Sequence, residues 1–166
     1  MTDTARVQAI HVAAEQGEPT TARERVRALA GRGLEGDRYC LADAEAGDEP
    51  DERAGGTFAD REGSDLTLIE REALEAVERD YDIELEPGVH RRNLTTEGVA
   101  LNHLDGARFR VGDVVCEGVE LCEPCSYLER HLAEDGVREA LVHRGGLRAR
   151  ILEGGVLTVG DRLEAL

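Results

Sequence analysis

The chain of 166 residues contains no lysine; all 20 of its basic residues are arginine. That absence excludes lysine-based Schiff-base catalysis, including the pyridoxal phosphate enzymes that hold their cofactor on a lysine, and a P-loop is absent as well. Tryptophan is also absent, and only five side chains are aromatic: Phe58, Phe109, Tyr39, Tyr81 and Tyr127. A core must therefore be assembled from Val, Leu, Ile and Ala. No apolar run approaches the ~18–20 residues that cross a bilayer. The opening Met1-Thr-Asp-Thr-Ala-Arg6 has neither the basic nor the apolar region of a secretory signal. These absences predict a soluble, cytoplasmic protein with no membrane partner.

What is present in excess is negative charge. Asp and Glu total 36, leaving a formal net charge of −16. Self-repulsion of that size destabilises a compact domain at low salt and is largely screened at a Debye length of ~3 Å in 1 M salt. A lysine-free acidic surface fits a halophile cytoplasm; the alternative is an acidic mesophilic protein from an arginine-favouring, GC-rich genome. Either origin argues against nucleic acid as a partner, because phosphate contacts dominate that affinity. The length suits one domain, residues 1–166, rather than two.

Along the chain, Arg6 to Ala14 reads as a strand. Glu24 to Ala30 is ambiguous, since Val26 and Leu29 fit a helix while Val26, Ala28 and Ala30 alternate as in a strand. Residues 42–63 are acidic, glycine-rich and almost without large apolar side chains, as expected of a solvated surface loop. Asp65 to Ile69 reads as a strand. A helix follows from about Glu70 to Tyr81, with Ala73, Leu74, Val77 and Tyr81 on one apolar face. Ala107–Val111 and Val114–Leu121 flank Gly112-Asp113 as a hairpin. Arg148–Glu153 and Val156–Val159 flank Gly154-Gly155 in the same way. Arg162-Leu-Glu164 closes the chain as a strand, and 126–133 and 137–142 read as short helices. The fold class expected is mainly β with a few helices, a closed or partly closed β-barrel.

Cys122-Glu-Pro-Cys125 is the sharpest chemical feature. It follows a strand and precedes a helix, so Cys125 sits where the positive end of a helix dipole favours thiolate. Such a thiolate suits nucleophilic attack, persulfide carriage or metal ligation. Cys122 reads as a buried small residue and Cys116 as a core residue within a strand; Cys40 is undecided. The competing readings are half of a structural zinc site and a redox pair.

Two windows contain no carboxylate, Pro87–Thr96 and Ala140–Leu152. They hold His90, Arg91, Arg92, Asn93 and Thr95, and His143, Arg144, Gly145, Arg148 and Arg150. Clustered arginine in so acidic a chain predicts a seat for a bound anion, because the guanidinium fork matches phosphate. The alternative is that these arginines pair with carboxylates elsewhere. His143 is a candidate proton donor, while His131 reads as a surface residue. Asn93 and Thr95 suit either ligand contact or turn capping.

Gly33-Leu-Glu-Gly-Asp-Arg38, Leu66-Thr-Leu-Ile-Glu70, Arg91-Arg-Asn-Leu-Thr95, Val111-Gly-Asp113, Glu123-Pro-Cys125, Arg144-Gly-Gly-Leu-Arg148 and Val159-Gly-Asp161 occur in this order. Together they resemble the MOSC family, named after the C-terminal domain of molybdenum-cofactor sulfurases, from about Val7 to Leu163. The resemblance is to a stand-alone member of haloarchaeal type. It implies a barrel-like β fold and a functional Cys125 that ligates molybdenum or carries sulfur as a persulfide. It further implies that Arg91, Arg92, Asn93 and Thr95 face a molybdenum cofactor, an oxidoreductase or sulfurtransferase role, and a small-molecule substrate. No sulfur-generating or ferredoxin-like domain is recognisable in the chain, so a separate sulfur donor or electron-donor protein is expected. A non-catalytic cofactor-binding module and a structural zinc protein are the other readings.

Overall fold

Leu147, Ala149 and Ile151 are buried in one core while Arg148 and Arg150 alternate with them on the opposite face. This period of two is the signature of a strand buried on one side of a sheet. The same alternation places Phe109 and Val111 inside and Arg108 and Arg110 outside. The computed structural model describes residues 5–13, 20–37, 65–85, 92–122 and 136–166. The acidic stretch 42–63, the expected helix at 126–133, Cys40, His90, Arg91, Cys125 and His131 lie outside the described residues.

The strands are β1 (Arg6–Val12), β2 (Thr21–Arg23), β3 (Arg25–Leu29), β4 (Gly33–Leu34), β5 (Leu66–Glu70), β6 (Leu94–Glu97), β7 (Arg108–Val111), β8 (Val114–Leu121), β9 (Leu147–Glu153), β10 (Gly155–Thr158) and β11 (Leu163–Ala165). Helix α1 (Arg71–Tyr81) joins β5 to β6, and the one-turn α2 (Val137–Ala140) precedes β9. Eight strands form one sheet in the order β11-β7-β8-β9-β5-β6-β1-β2, and β10-β3-β4 form a second. The larger sheet is not closed by a continuous ladder, yet its two sides meet. Arg6 bridges Arg162, Val7 N–H donates to the Asp161 carbonyl at 2.9 Å, and Leu163 N–H donates to the Ala5 carbonyl at 3.0 Å. The result is the partly closed barrel expected of the sequence.

The barrel interior is aliphatic: Val7, Ile10, Leu66, Leu68, Leu94 and Leu147 share one core with Phe109, the only aromatic in it among the described residues. A smaller apolar cluster lies on the outer face of β5, where Ile69 packs with Val77 of α1, Ile83, Ala140 and Leu141. Among the described residues no helix is long and apolar enough to cross a membrane.

Residues 25–29 resolve as strand β3, because Val26 and Ala28 are buried and Arg25 and Arg27 exposed. Tyr81 departs from the expected apolar face of α1. It is 44 % exposed, and Ala76 is buried instead. The expected β9–β10 hairpin is corrected more substantially. Both edges of β9 are already occupied, by β8 and by β5, so β10 pairs with β3. Gly154 is a corner between sheets rather than a hairpin turn, and a Cβ there would lie 2.6 Å from the Ala28 carbonyl oxygen. The hairpin β7–β8 around Gly112-Asp113 forms as expected.

Gly118 of β8 lets the chain at Leu104–Asp105 cross against the sheet; a Cβ would meet the Leu104 carbonyl oxygen at 2.0 Å. Gly118→Ala is expected to destabilise the fold by about 2–3 kcal/mol through backbone overpacking, measured as a shift in the urea midpoint at unchanged slope.

Candidate functional site

Register explains how distant motifs meet. Leu68 opposes Leu147 on β9 and Leu94 on β6, while Leu147 also opposes Leu121 of β8. The three candidate segments are thus anchored by one row of leucines across the sheet. At one side of that row the consecutive carbonyls of Gly145 and Gly146 accept two bonds. Arg92 Nε donates to Gly145 at 2.9 Å, and Cys122 N–H donates to Gly146 at 2.7 Å. Gly146 has φ +109°, and a Cβ there would lie 2.0 Å from the Leu68 carbonyl oxygen. Both the left-handed backbone and the close approach therefore require glycine.

Asn93 is the hub of a buried polar cluster. Its Oδ1 accepts from Thr67 N–H at 3.0 Å and from the Thr67 hydroxyl at 3.3 Å. Its Nδ2 donates to the His11 carbonyl at 3.1 Å and to Asp37 Oδ1 at 3.4 Å. Its backbone N–H donates to Thr67 Oγ1 at 3.0 Å, and its carbonyl accepts from His11 N–H at 2.7 Å. Asp37 Oδ1 also accepts from Ala13 N–H at 3.0 Å. The cluster ties β1, the turn after β4, β5 and the entry to β6. Thr95 is buried one step further along β6, opposite Ala9 and Ile69.

The other expected anion-seat residues are placed apart. Arg148, only 4 % exposed, forms an ion pair with Glu120. It belongs to a cross-strand series in which Glu117 faces Arg150 at 3.4 Å and Arg108 at 3.9 Å. Arg144 donates from Nε to the Ala140 carbonyl at 2.7 Å. It also lies 3.6 Å from Asp80 and 6.0 Å from the centre of the Tyr81 ring, tying the turn before β9 to the end of α1. The Asp80 carboxyl is held below its ordinary value, by Arg79 first and by Arg144 as a smaller cause. His143 is exposed at φ +65°, and its backbone carbonyl accepts from Asn102 Nδ2 at 3.0 Å.

Of the cysteines, Cys116 is fully buried among aliphatic side chains. Burial first, and the carboxylate of Asp65 second, push its thiol up to about 12, a core residue and not a nucleophile. Cys122 is buried as well, leaving Cys125, three residues on, as the reactive candidate of the motif. Among the described residues no group of three His, Cys, Asp or Glu could hold a metal ion.

Sequence reasoning missed His11, Thr67 and Glu120 as site-forming residues, and it read Asp37 only as part of the Gly-Asp-Arg turn. The available signal was a polar residue on an otherwise buried strand: His11 between Ile10 and Val12, and Thr67 between Leu66 and Leu68.

A partly closed barrel, with a glycine turn that draws an arginine segment and a Cys-x-x-Cys entry together, defines a small β-barrel class with one polar corner. The model of the MOSC domain matches residues 52–164, and the chain belongs to the MOSC domain family. Among solved structures, the YUAD protein of Bacillus subtilis superposes with a TM-score of 0.75 at 14 % identity, covering 97 % of this chain and 94 % of that one. YiiM of Geobacillus stearothermophilus gives 0.69 at 16 % identity, covering 98 % and 75 %. YiiM of Escherichia coli gives 0.62 at 19 % identity, covering 100 % and 70 %. These likenesses establish the shared fold. No curated protein matches the chain.

Asn93→Ala strips the partners from Thr67, the His11 carbonyl and Asp37 at once. A loss of about 3–5 kcal/mol is expected, read by chemical denaturation; a loss under 1 kcal/mol would contradict the hub. Burial also lowers the His11 pKa below its ordinary 6.5. The unfolded chain therefore takes up the proton first, and stability is lost as pH falls from about 6.5 through the folded-state value. His11→Gln removes this loss, so the wild-type Tm should drop relative to the variant between about pH 7.5 and about pH 5.

Proposed function

We propose that this chain is a molybdenum-cofactor-linked MOSC protein in which Cys125 supplies the thiolate ligand and Arg91 and Arg92 seat the anionic end of the cofactor. MOSC domains are associated with molybdenum-cofactor sulfurase-type proteins. The observation that carries the reading is the turn at Gly145-Gly146. Its adjacent carbonyls hold Arg92 and the amide of Cys122, so the arginine segment and the start of Cys-x-x-Cys meet at one place. Covalent reach keeps Cys125 within about 11 Å of Cys122.

The donor set fits the group. A thiolate is the soft ligand that metal–sulfur sites take, and a guanidinium offers paired donors to a phosphate. Arg144 and Arg148 are engaged with Asp80 and Glu120, whereas Arg92 lies at the Gly145 turn itself. Asn93 and Thr95, next in the chain, hold that segment against β1 and β5. His143 stands at the rim of the same turn as the candidate proton donor. When bound, the cofactor supplies a redox metal for reduction of a small N-hydroxylated compound, with electrons from a separate cytoplasmic donor protein. Sulfur carriage by Cys125 persulfide, with sulfur from a separate donor, is the second reading; it uses the same thiolate and needs no arginine seat.

Molybdenum and pterin analysis of the wild type and Cys125→Ala tests the proposal. Near-stoichiometric molybdenum and pterin in the wild type, with molybdenum lost in the variant at unchanged circular dichroism, are expected. Protein free of both sinks the cofactor reading. Sulfane sulfur released by cyanide from the wild type alone would then establish carriage, and stoichiometric zinc would establish a zinc protein.

A further inference from the structure

Strands β2 and β3 carry positive charge outside the Arg92–Gly145 corner. Arg23 at the end of β2 and Arg25 and Arg27 on β3 are all exposed. They line a groove of about 380 Å³ together with Val26, Glu35, Gly36 and Val156. Arg25 and Arg27, two apart on β3, are separated by about 6.8 Å, and Arg23, across the bend at Glu24, lines the same groove. On β10 their cross-strand neighbours are uncharged: Val156 faces Arg27 and Thr158 faces Arg25. Among the described residues the lining contains one carboxylate, Glu35, 4.0 Å from Arg27 with both side chains well exposed. Glu24 falls between Arg23 and Arg25 in the chain but is not among the lining residues.

Among the described residues, three cations against one anion run counter to a chain with a net charge of −16, in which a surface serving only solubility would be acidic. The groove has the volume of a small-molecule site, about 300–1,000 Å³. Its walls offer planar forks that bind phosphate oxygens in pairs. Val156, 50 % exposed, gives it an apolar side. Three guanidiniums in one groove are more than a single phosphate needs. We propose that the groove formed by Arg23, Arg25 and Arg27 is a binding site for a small anion carrying a diphosphate, separate from the Arg92–Gly145 corner and independent of the cofactor reading.

Calorimetric titration of the full chain with inorganic pyrophosphate tests it. Saturable one-to-one binding is expected, weakening as salt rises. The double variant Arg25→Gln/Arg27→Gln should lose at least about tenfold in affinity, the scale of lost charge-assisted hydrogen bonds. Glu35→Gln should tighten binding about threefold by removing the competing carboxylate. All three positions are exposed, so the fold is retained and checked by circular dichroism. Arg92→Gln separates the two sites and should leave pyrophosphate affinity unchanged. ADP tells the source of the diphosphate: tighter binding than pyrophosphate assigns the Val156 side to an organic group, and weaker binding assigns the site to the free anion. Absence of pyrophosphate binding, equal affinity in the double variant, or loss on Arg92→Gln alone overturns the proposal.

Discussion

A side-chain amide buried in a β-barrel must find partners for two donors and two acceptor positions, and Asn93 finds all four inside the protein. Each partner comes from a different place in the chain: Thr67 from β5, His11 from β1 and Asp37 from the turn after β4. A buried polar network is stabilising only when fully satisfied, because each broken bond leaves a desolvated group behind. Asn93 thereby cross-links the neighbouring strands β5, β6 and β1, directly beside Arg92, which bonds the Gly145 carbonyl. The candidate site is therefore supported by a hydrogen-bonded clamp rather than by the aliphatic core alone.

The arginines show how tertiary placement sorts identical side chains into different tasks. Arg108 and Arg150 flank Glu117, and Arg148 pairs with Glu120, giving the outer face of β7–β9 a cross-strand charge series. Arg144 braces α1 through Asp80 and Tyr81. Arg92 holds a backbone carbonyl at the corner where the Cys-x-x-Cys segment begins. Arg23, Arg25 and Arg27 face solvent along a groove. Without lysine, every one of these tasks falls to a planar donor, which suits bidentate pairing better than a point charge would.

Most elements were legible. The β7–β8 hairpin around Gly112-Asp113 is short, local and glycine-turned, and it formed as read. Helix α1 and strand β5 followed from periodicity, and the order of motifs was enough to identify the MOSC family. The β9–β10 turn was misread because Gly-Gly between two apolar runs is compatible with a hairpin or a corner. The choice depended on whether β9 had a free edge, which is decided by β8 and β5, about thirty residues or more upstream. The anion windows were read from the absence of carboxylates in sequence, yet Glu120 and Asp80, remote in the chain, sit against two of their arginines.

Composition and spacing by themselves determined the chemistry available to this protein. With no lysine it forms no lysine Schiff base, its twenty arginines make every basic side chain a guanidinium, and its four cysteines offer thiolate. Local patterning determined which faces of each strand turn inward. Only the tertiary structure decided which arginines are engaged with carboxylates and that Asn93 is a clamp. Those outcomes rest on contacts between residues far apart in the chain, whose geometry is set by strand register, and register is a property of the assembled sheet rather than of any one segment.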